Sequence, residues 1–133
     1  HILVNMDGKL LSTYVNKSLE FSDGMPTKLL IESREDVVDL AEEICSKLKF
    51  FGVIGFQVFM DENDSKPKLF DLNPRMGNGV ILGVAAGCNL PLNAVYLALG
   101  KPIAPDSMFA RSLCMSRYRE EIFLDDSLEK ISL

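Results

Sequence analysis

Residues 70–73 constrain the fold more than any other stretch, because their apolar and polar side chains alternate and a proline follows at once. Side chains of an extended strand point alternately to its two faces, so Asp71 and Asn73 share one face. Arg75 joins them if the chain stays extended past Pro74, which lacks an N–H and ends strand pairing there. The pattern predicts a strand that delivers polar groups to its end.

A second strand-like run, residues 53–60, precedes this stretch, and a polar turn separates the two. Together they predict an antiparallel hairpin. A turn centred on Asp64 places residue 57 opposite 71, 59 opposite 69 and 55 opposite 73, so Gln57 lies beside Asp71 and Asn73. The other face is apolar and is expected to pack on a helix; it comprises Phe56, Val58, Met60, Phe70 and Leu72.

The N-terminal half carries turn signals and one amphipathic helix. Asp7-Gly8 between apolar runs predicts a hairpin over residues 2–17, and residues 18–27 are expected to form a long loop. A helix is expected to begin at Ser33, whose hydroxyl would cap it, and to end at Gly52. Its predicted apolar face comprises Val37, Val38, Ala41, Ile44, Cys45 and Leu48.

Residues 76–100 carry no charge, which suits a membrane span, but asparagine, glycine and proline interrupt the run. Two buried helices are therefore favoured. One is expected over residues 80–86 with Gly87 as its cap, and the other over residues 91–99, closed by Gly100. The elements together predict an α+β fold, in which a mostly antiparallel sheet is backed by helices.

A chain of 133 residues suits a single domain. We divide it into a lobe over residues 1–102 and a C-terminal extension over residues 103–133 that packs on the same lobe. Within the extension, residues 112–119 fit either a strand or a helix. The chain opens directly on a strand-like run, so we expect it to be part of a longer protein.

The charge balance argues against two classes of partner. Lysine and arginine number 14 against 19 aspartates and glutamates, for a net charge of -5. This balance disfavours nucleic acids and an electrostatically bound membrane surface. A small basic patch is interpreted as solvated or interface surface; it comprises Arg111, Arg117, Tyr118 and Arg119.

Three cysteines, Cys45, Cys88 and Cys114, are an odd number without C-x-x-C spacing. They are interpreted as free, buried, apolar residues in a reducing cytoplasm, not as a disulfide framework or a zinc site. The single histidine, His1, is interpreted as a terminal residue without a catalytic role, which excludes a Ser-His-Asp or Cys-His arrangement.

The polar face of the predicted hairpin offers only oxygen ligands, from Gln57, Asp71 and Asn73. Mg²⁺ suits such a set, because it uses one or two protein carboxylates and fills its other positions with water and substrate phosphates. Arg75 and backbone N–H groups around Gly77 and Gly79 would then contact phosphate. The pattern equally fits an ordinary exposed strand face with Arg75 in a salt bridge.

Two segments resemble a known family: residues 52–59, Gly-Val-Ile-Gly-Phe-Gln-Val-Phe, and residues 69–75, Leu-Phe-Asp-Leu-Asn-Pro-Arg, with the glycines that follow. They are similar to the C-terminal half of an ATP-grasp domain of the carbamoyl-phosphate synthetase-like group of carboxylate–amine ligases. The resemblance covers residues 1–102. Its most specific part is the acid-x-Asn-Pro-Arg motif at the end of a hairpin strand.

The resemblance implies an ATP-dependent ligase that converts a carboxylate into an acyl phosphate for attack by an amine or a similar nucleophile. Asp71, Asn73 and Gln57 would bind Mg²⁺, or Mn²⁺, on the ATP phosphates. Arg75 would contact phosphate or the acyl phosphate as the catalytic residue. Phe59 shares the Gln57 face and would line the nucleotide, unless it is an ordinary core aromatic.

Two departures from the family matter. Asp71 stands where the family commonly has glutamate, which shortens the reach of this ligand. The family's adenine hinge, phosphate-binding lysine and N-terminal domain precede the matching region. The resemblance therefore implies that the rest of a longer ATP-grasp chain is a partner of these 133 residues, which would be inactive alone. The alternative is a non-catalytic binding or assembly module with a vestigial site. The sequence identifies neither substrate and leaves a homo-oligomer open.

Overall fold

A computed structural model describes residues 1–103 and 113–131 of the chain. In these two stretches the chain forms seven strands and three helices. The strands are β1 Ile2–Val4, β2 Leu10–Thr13, β3 Val15–Ser22, β4 Met25–Glu32, β5 Gly52–Met60, β6 Pro67–Asn73 and β7 Cys114–Ser116. The helices are α1 Glu35–Leu48, α2 Val80–Ala85 and α3 Leu90–Ala98.

Two antiparallel sheets form the framework. One sheet has the strand order β2-β1-β5-β6 and the other β3-β4-β7, and all neighbouring strands in both are antiparallel. A single residue, Tyr14, separates β2 in the first sheet from β3 in the second. The predicted α+β fold is confirmed, although its strands are divided between two sheets.

Residues 18–27, predicted to form a loop, belong instead to a long hairpin. β3 and β4 pair along nearly their whole length. Asp23 and Gly24 make the turn, with φ angles of 51° and 74°. A positive φ at both central residues is what a type I′ hairpin turn requires. Asp23-Gly24 is thus the same kind of turn signal as Asp7-Gly8, and it closes a second hairpin here.

Helix α1 forms where its apolar periodicity predicts, but both ends differ from the prediction. Its N-cap is Arg34, whose side chain makes no capping hydrogen bond, so the predicted Ser33 cap is wrong. At the other end Lys49 is left-handed, and its N–H donates to the Cys45 carbonyl at 2.9 Å. This αL cap ends the helix before Gly52, which begins β5.

The two short helices end at glycines, as predicted. Gly87 follows α2 with a φ of 99°, and Gly100 follows α3 with a φ of 63°. Asn89 caps α3, because its side-chain oxygen accepts the Leu92 N–H at 3.1 Å. Across the described ranges, none of the helices has the length and apolar content needed to cross a membrane.

The first sheet has helices on both faces. Successive residues of β1 point to opposite sides, so this strand contributes to a hydrophobic cluster on each face. The cluster against α1 consists of Ile2, Val4, Ala41, Cys45 and Ile54. The cluster that includes residues of α2 and α3 consists of Leu3, Tyr14, Leu29, Ile31, Leu82, Cys88 and Leu90. Phe56 and Leu72 of the β5–β6 hairpin pack against the α1 cluster, which confirms their predicted burial beneath the amphipathic helix.

The three cysteines are free thiols, but they are not all buried. Cys45 and Cys88 lie in the core as predicted. Cys114 is exposed on β7, so its interpretation as a core residue is wrong. β7 has only three residues and is the outer strand of its sheet, which leaves this side chain in solvent. The reducing compartment stays a prediction.

Candidate functional site

The β5–β6 hairpin brings the predicted polar residues together. Gln57 lies directly opposite Asp71, and Gly55 lies opposite Asn73. Both pairings agree with the predicted register. Because opposed residues of antiparallel strands share a face, Gln57 and Asp71 are neighbours on one side of the sheet. This is the geometry that an oxygen-ligand site on the hairpin requires.

The predicted register is wrong beyond this point, since the pairing shifts between Gln57 and Val58. Val58 lies opposite Leu69, which leaves Phe70 as an extra residue in β6, a β-bulge. Phe70 is 61% exposed instead of buried. Its ring centroid lies 6.4 Å from that of Phe59, which is 51% exposed. The bulge therefore makes an exposed aromatic pair beside the polar face.

Asp71 and Asn73 interact directly. The Asn73 amide nitrogen donates to Asp71 Oδ2 at 2.5 Å, and both side chains are half-buried. Gln57 is exposed, and its side chain makes no hydrogen bond within residues 1–103 and 113–131. For Asn73 to offer an oxygen on the carboxylate side, its amide must rotate by half a turn. The donor set contains one carboxylate and two amide groups.

Arg75 stands just past the end of β6. Its N–H donates to the Asn73 carbonyl at 2.7 Å across Pro74, a three-residue turn. Its guanidinium is exposed and donates to the Met76 carbonyl at 3.2 Å. Arg75 forms no ion pair with an acid among the described residues, so the salt-bridge interpretation is not supported. The site thus has a solvent-facing cation two residues from Asn73.

The loop over residues 76–79 leads from Arg75 into α2. Val80 and Leu82 donate their N–H groups to the carbonyls of Gly77 and Gly79, at 3.1 and 3.0 Å. The N–H groups of residues 76–79 themselves find no acceptor in the described parts of the chain. Met76 and Asn78 are exposed whereas Gly79 is buried, so the amides on the exposed side of the loop are the ones open to an anion.

His1 packs beside this loop, which the sequence did not predict. A Cβ atom at Gly55 would lie 3.3 Å from two atoms of the His1 ring, and one at Gly77 would lie closer still. His1 Nδ1 is buried without a hydrogen-bond partner in the described ranges. In the sequence, Gly77 and Gly79 indicated a close approach to the backbone of this loop, but nothing indicated that the approaching group is the His1 ring.

Two other features bear on where a ligand could bind. A cavity of about 260 Å³ lies at the junction of β2, β3, β4 and α1, and none of the predicted site residues lines it. Among residues 1–103 and 113–131, no three His, Cys, Asp or Glu side chains gather into a metal-binding group. Any cation on the hairpin must therefore rely on Asp71 together with amide oxygens and external ligands.

Comparison with protein families relates most of the chain to a known family. The sequence model of a family described as "ATP-grasp in the biosynthetic pathway with Ter operon" matches residues 4–118, which is most of the chain. The matched range contains the hairpin, Arg75 and β7. No curated protein matches the chain significantly.

Proposed function

The chain belongs to the ATP-grasp family, and on that premise we propose that its β5–β6 hairpin is the magnesium and phosphate half of an ATP-dependent ligase site. In the proposed reaction a substrate carboxylate attacks the γ-phosphorus of ATP and forms an acyl phosphate with release of ADP. An amine or a similar nucleophile then displaces phosphate. The observation that carries the proposal is Gln57 opposite Asp71, with Asn73 and Arg75 following on the same strand end.

The donor set fits Mg²⁺, and Mn²⁺ equally. Asp71 supplies one carboxylate, and Asn73 and Gln57 supply neutral amide oxygens, while water and phosphate oxygens would complete the shell. Gln57 is exposed and Asp71 half-buried, so these groups are accessible to an ion in solvent. The contact between Asn73 and Asp71 places the two side chains next to each other, and the Asn73 amide would rotate by half a turn to offer its oxygen to the ion. The ion, when bound, neutralises charge on the phosphates.

Arg75 would bind the transferred phosphoryl group. Its guanidinium has no acidic partner among the described residues and faces solvent. A free guanidinium forms strong, directional hydrogen bonds with phosphate oxygens. The N–H groups of residues 76–79, which have no acceptor among the residues that the structure describes, lie next to it in the chain and support the same role. Catalysis of this kind is positioning and charge stabilisation, and it needs no protein nucleophile.

Phe59 would line the nucleotide. It follows Gln57 by two residues on β5 and is 51% exposed, which an ordinary core aromatic is not. Its contact with Phe70 limits the freedom of the ring. An exposed aromatic ring beside a polar strand face is suited to stack against a flat ligand.

We further propose that residues outside this chain complete the enzyme, and that the carboxylate and the amine bind partly to them. The hairpin would supply ligands for the metal and the phosphates, and none of its proposed site residues lines the cavity of about 260 Å³ at α1. The division into a lobe over residues 1–102 and an extension over residues 103–133 remains part of this proposal.

Isothermal titration of the chain with ATP, with and without Mg²⁺, tests the assignment. Asp71→Ala and Asn73→Ala are each expected to weaken magnesium-dependent binding by at least about tenfold. Glu62→Ala is the matched control, because it removes an exposed acid from the turn of the same hairpin. Binding that does not depend on Mg²⁺, or that survives Asp71→Ala, contradicts the proposal. The same titration on the longer protein that carries the completing residues decides between the two functions, and absence of binding there favours the non-catalytic module.

A further inference from the structure

The residues after β7 reach back to the loop beside Arg75. The Arg117 N–H donates to the Thr27 carbonyl at 2.8 Å, which extends the pairing of β7 with β4. Its side chain donates through Nη1 to the Pro26 carbonyl at 3.4 Å and through Nη2 to the Asn78 carbonyl. One guanidinium thus joins the start of β4 to the loop over residues 76–79.

This contact gives a specific partner to one residue of the basic patch, which was interpreted as solvated or interface surface. Arg117 is partly buried and binds two backbone carbonyls with its side chain. Arg119 differs, since it forms an exposed ion pair with Asp23 at 3.0 Å. Arg111 lies outside the described residues. The patch therefore contains at least one residue with a specific structural partner at the candidate site.

A hydrogen bond to the Asn78 carbonyl orients the whole peptide group between Asn78 and Gly79. A trans peptide is planar, and its C=O and N–H point in opposite directions. When Arg117 holds the Asn78 carbonyl, it therefore also sets the direction of the Gly79 N–H. A second contact, from the Asn78 side-chain nitrogen to Met25 Sδ at 3.4 Å, holds the same residue against the β3–β4 hairpin.

We propose that Arg117 is a positioning residue of the phosphate site, which orients the peptide between Asn78 and Gly79 beside Arg75. This inference rests on the proposed function, because it concerns the same site. Arg117 acts through the loop and does not itself bind the ligand. Its planar fork reaches the Pro26 and Asn78 carbonyls together, whereas a lysine ammonium is a point charge without that geometry.

Two measurements on the full chain test the role. Hydrogen exchange of the amides in residues 76–79 reports loop order without a ligand, and titration with magnesium triphosphate reports phosphate binding. Arg117→Ala and Arg117→Lys are both expected to speed loop exchange and to weaken triphosphate binding by about tenfold, as the loss of an outer positioning contact typically does. Arg119→Ala, the matched control, is expected to change neither, because exposed ion pairs contribute little.

Each outcome decides between the two proposals. Wild-type affinity in Arg117→Ala overturns the positioning role and leaves the proposed function intact. Wild-type affinity in Arg117→Lys also overturns it, since charge alone would then suffice. If thermal unfolding shows that Arg117→Ala does not fold, Arg117→Lys decides. Failure of the wild-type protein to bind magnesium triphosphate when the residues outside this chain are also present overturns the proposed function and this inference with it.

Discussion

Replacing Gly83 with alanine is expected to destabilise the fold, although alanine is the better helix former. Gly83 lies within α2 and faces the ring of Tyr14. A Cβ atom at this position would lie 2.7 Å from Cδ1 and from Cζ of that ring, and nearer still to Cε1. Carbon atoms do not approach so closely, so either the helix or the ring must move.

Two opposing terms set the size of the effect. Alanine gains about 1 kcal/mol over glycine inside a helix. Overpacking of a core costs about 1–3 kcal/mol, and the upper end applies where neighbours cannot yield. Tyr14 is 1% exposed, and the His1 ring centroid lies 5.3 Å from its own, so the ring has little room. The expected net loss is about 2 kcal/mol, or about 8 °C in Tm for a domain of this size.

Thermal unfolding followed by circular dichroism measures this change. Ala85→Gly is the matched control, because it alters helix propensity at an exposed position of the same helix. In a Tyr14→Leu background, Gly83→Ala should become stabilising by about 1 kcal/mol, since only the propensity term then remains. A higher Tm for Gly83→Ala in the wild-type background would refute the packing argument.

Two further predictions concern titratable groups. Cys114 should react with a thiol reagent in the folded protein, whereas Cys45 and Cys88 should react only after denaturation, because both are buried and burial raises the pKa of the Cys45 thiol; equal reactivity of all three would contradict the fold. The hydrogen bond and charge of Arg34 lower the pKa of Asp36 below its usual 3.8, so this pair should stabilise α1 above that pH and cease to do so as the pH falls through the lowered pKa. An NMR titration of Asp36 that gives 3.8 or higher would exclude the pair in solution.

The centre of the candidate site was predictable because it depends on strand periodicity alone. Gln57 is the only polar side chain in residues 53–60, and pairing it with Asp71 keeps the apolar residues beside each of them on the other face. The extra residue at Phe70 was not predictable in this way. A bulge arises from the way two strands fit one another and their neighbours. The alternation of β6 breaks at Leu69-Phe70, where the bulge lies, but two adjacent apolar residues do not by themselves specify an extra residue.

Arg117 and His1 were missed for a different reason. Both are far from residues 71–79 in the sequence and meet them only through tertiary packing. Arg117 binds backbone carbonyls. Every residue has such a carbonyl, so the residue types at these positions do not indicate the contact. Only the glycines around residue 77 signalled a close neighbour.

The β3–β4 hairpin shows how two local signals compete. Asp23-Gly24 is as strong a turn signal as Asp7-Gly8, but Pro26 follows it closely and argues against a strand interior. In the structure Pro26 is the second residue of β4, where a missing N–H matters least. β3 itself has apolar residues at the alternate positions Val15, Leu19 and Phe21, so a strand signal was present, and the turn residues that follow it obscured that signal.

The bulged strands have a bearing on how the protein behaves at high concentration. β3 and β6 are the longest outer strands of their sheets, and such strands offer unpaired backbone groups to other molecules. β3 is irregular on both sides of Glu20, and β6 is irregular at Phe70. Each irregularity interrupts the straight row of donors and acceptors that a foreign strand would need. The β-bulge that exposes Phe70 therefore also disfavours pairing of β6 with a strand of another molecule, which is a route to aggregation.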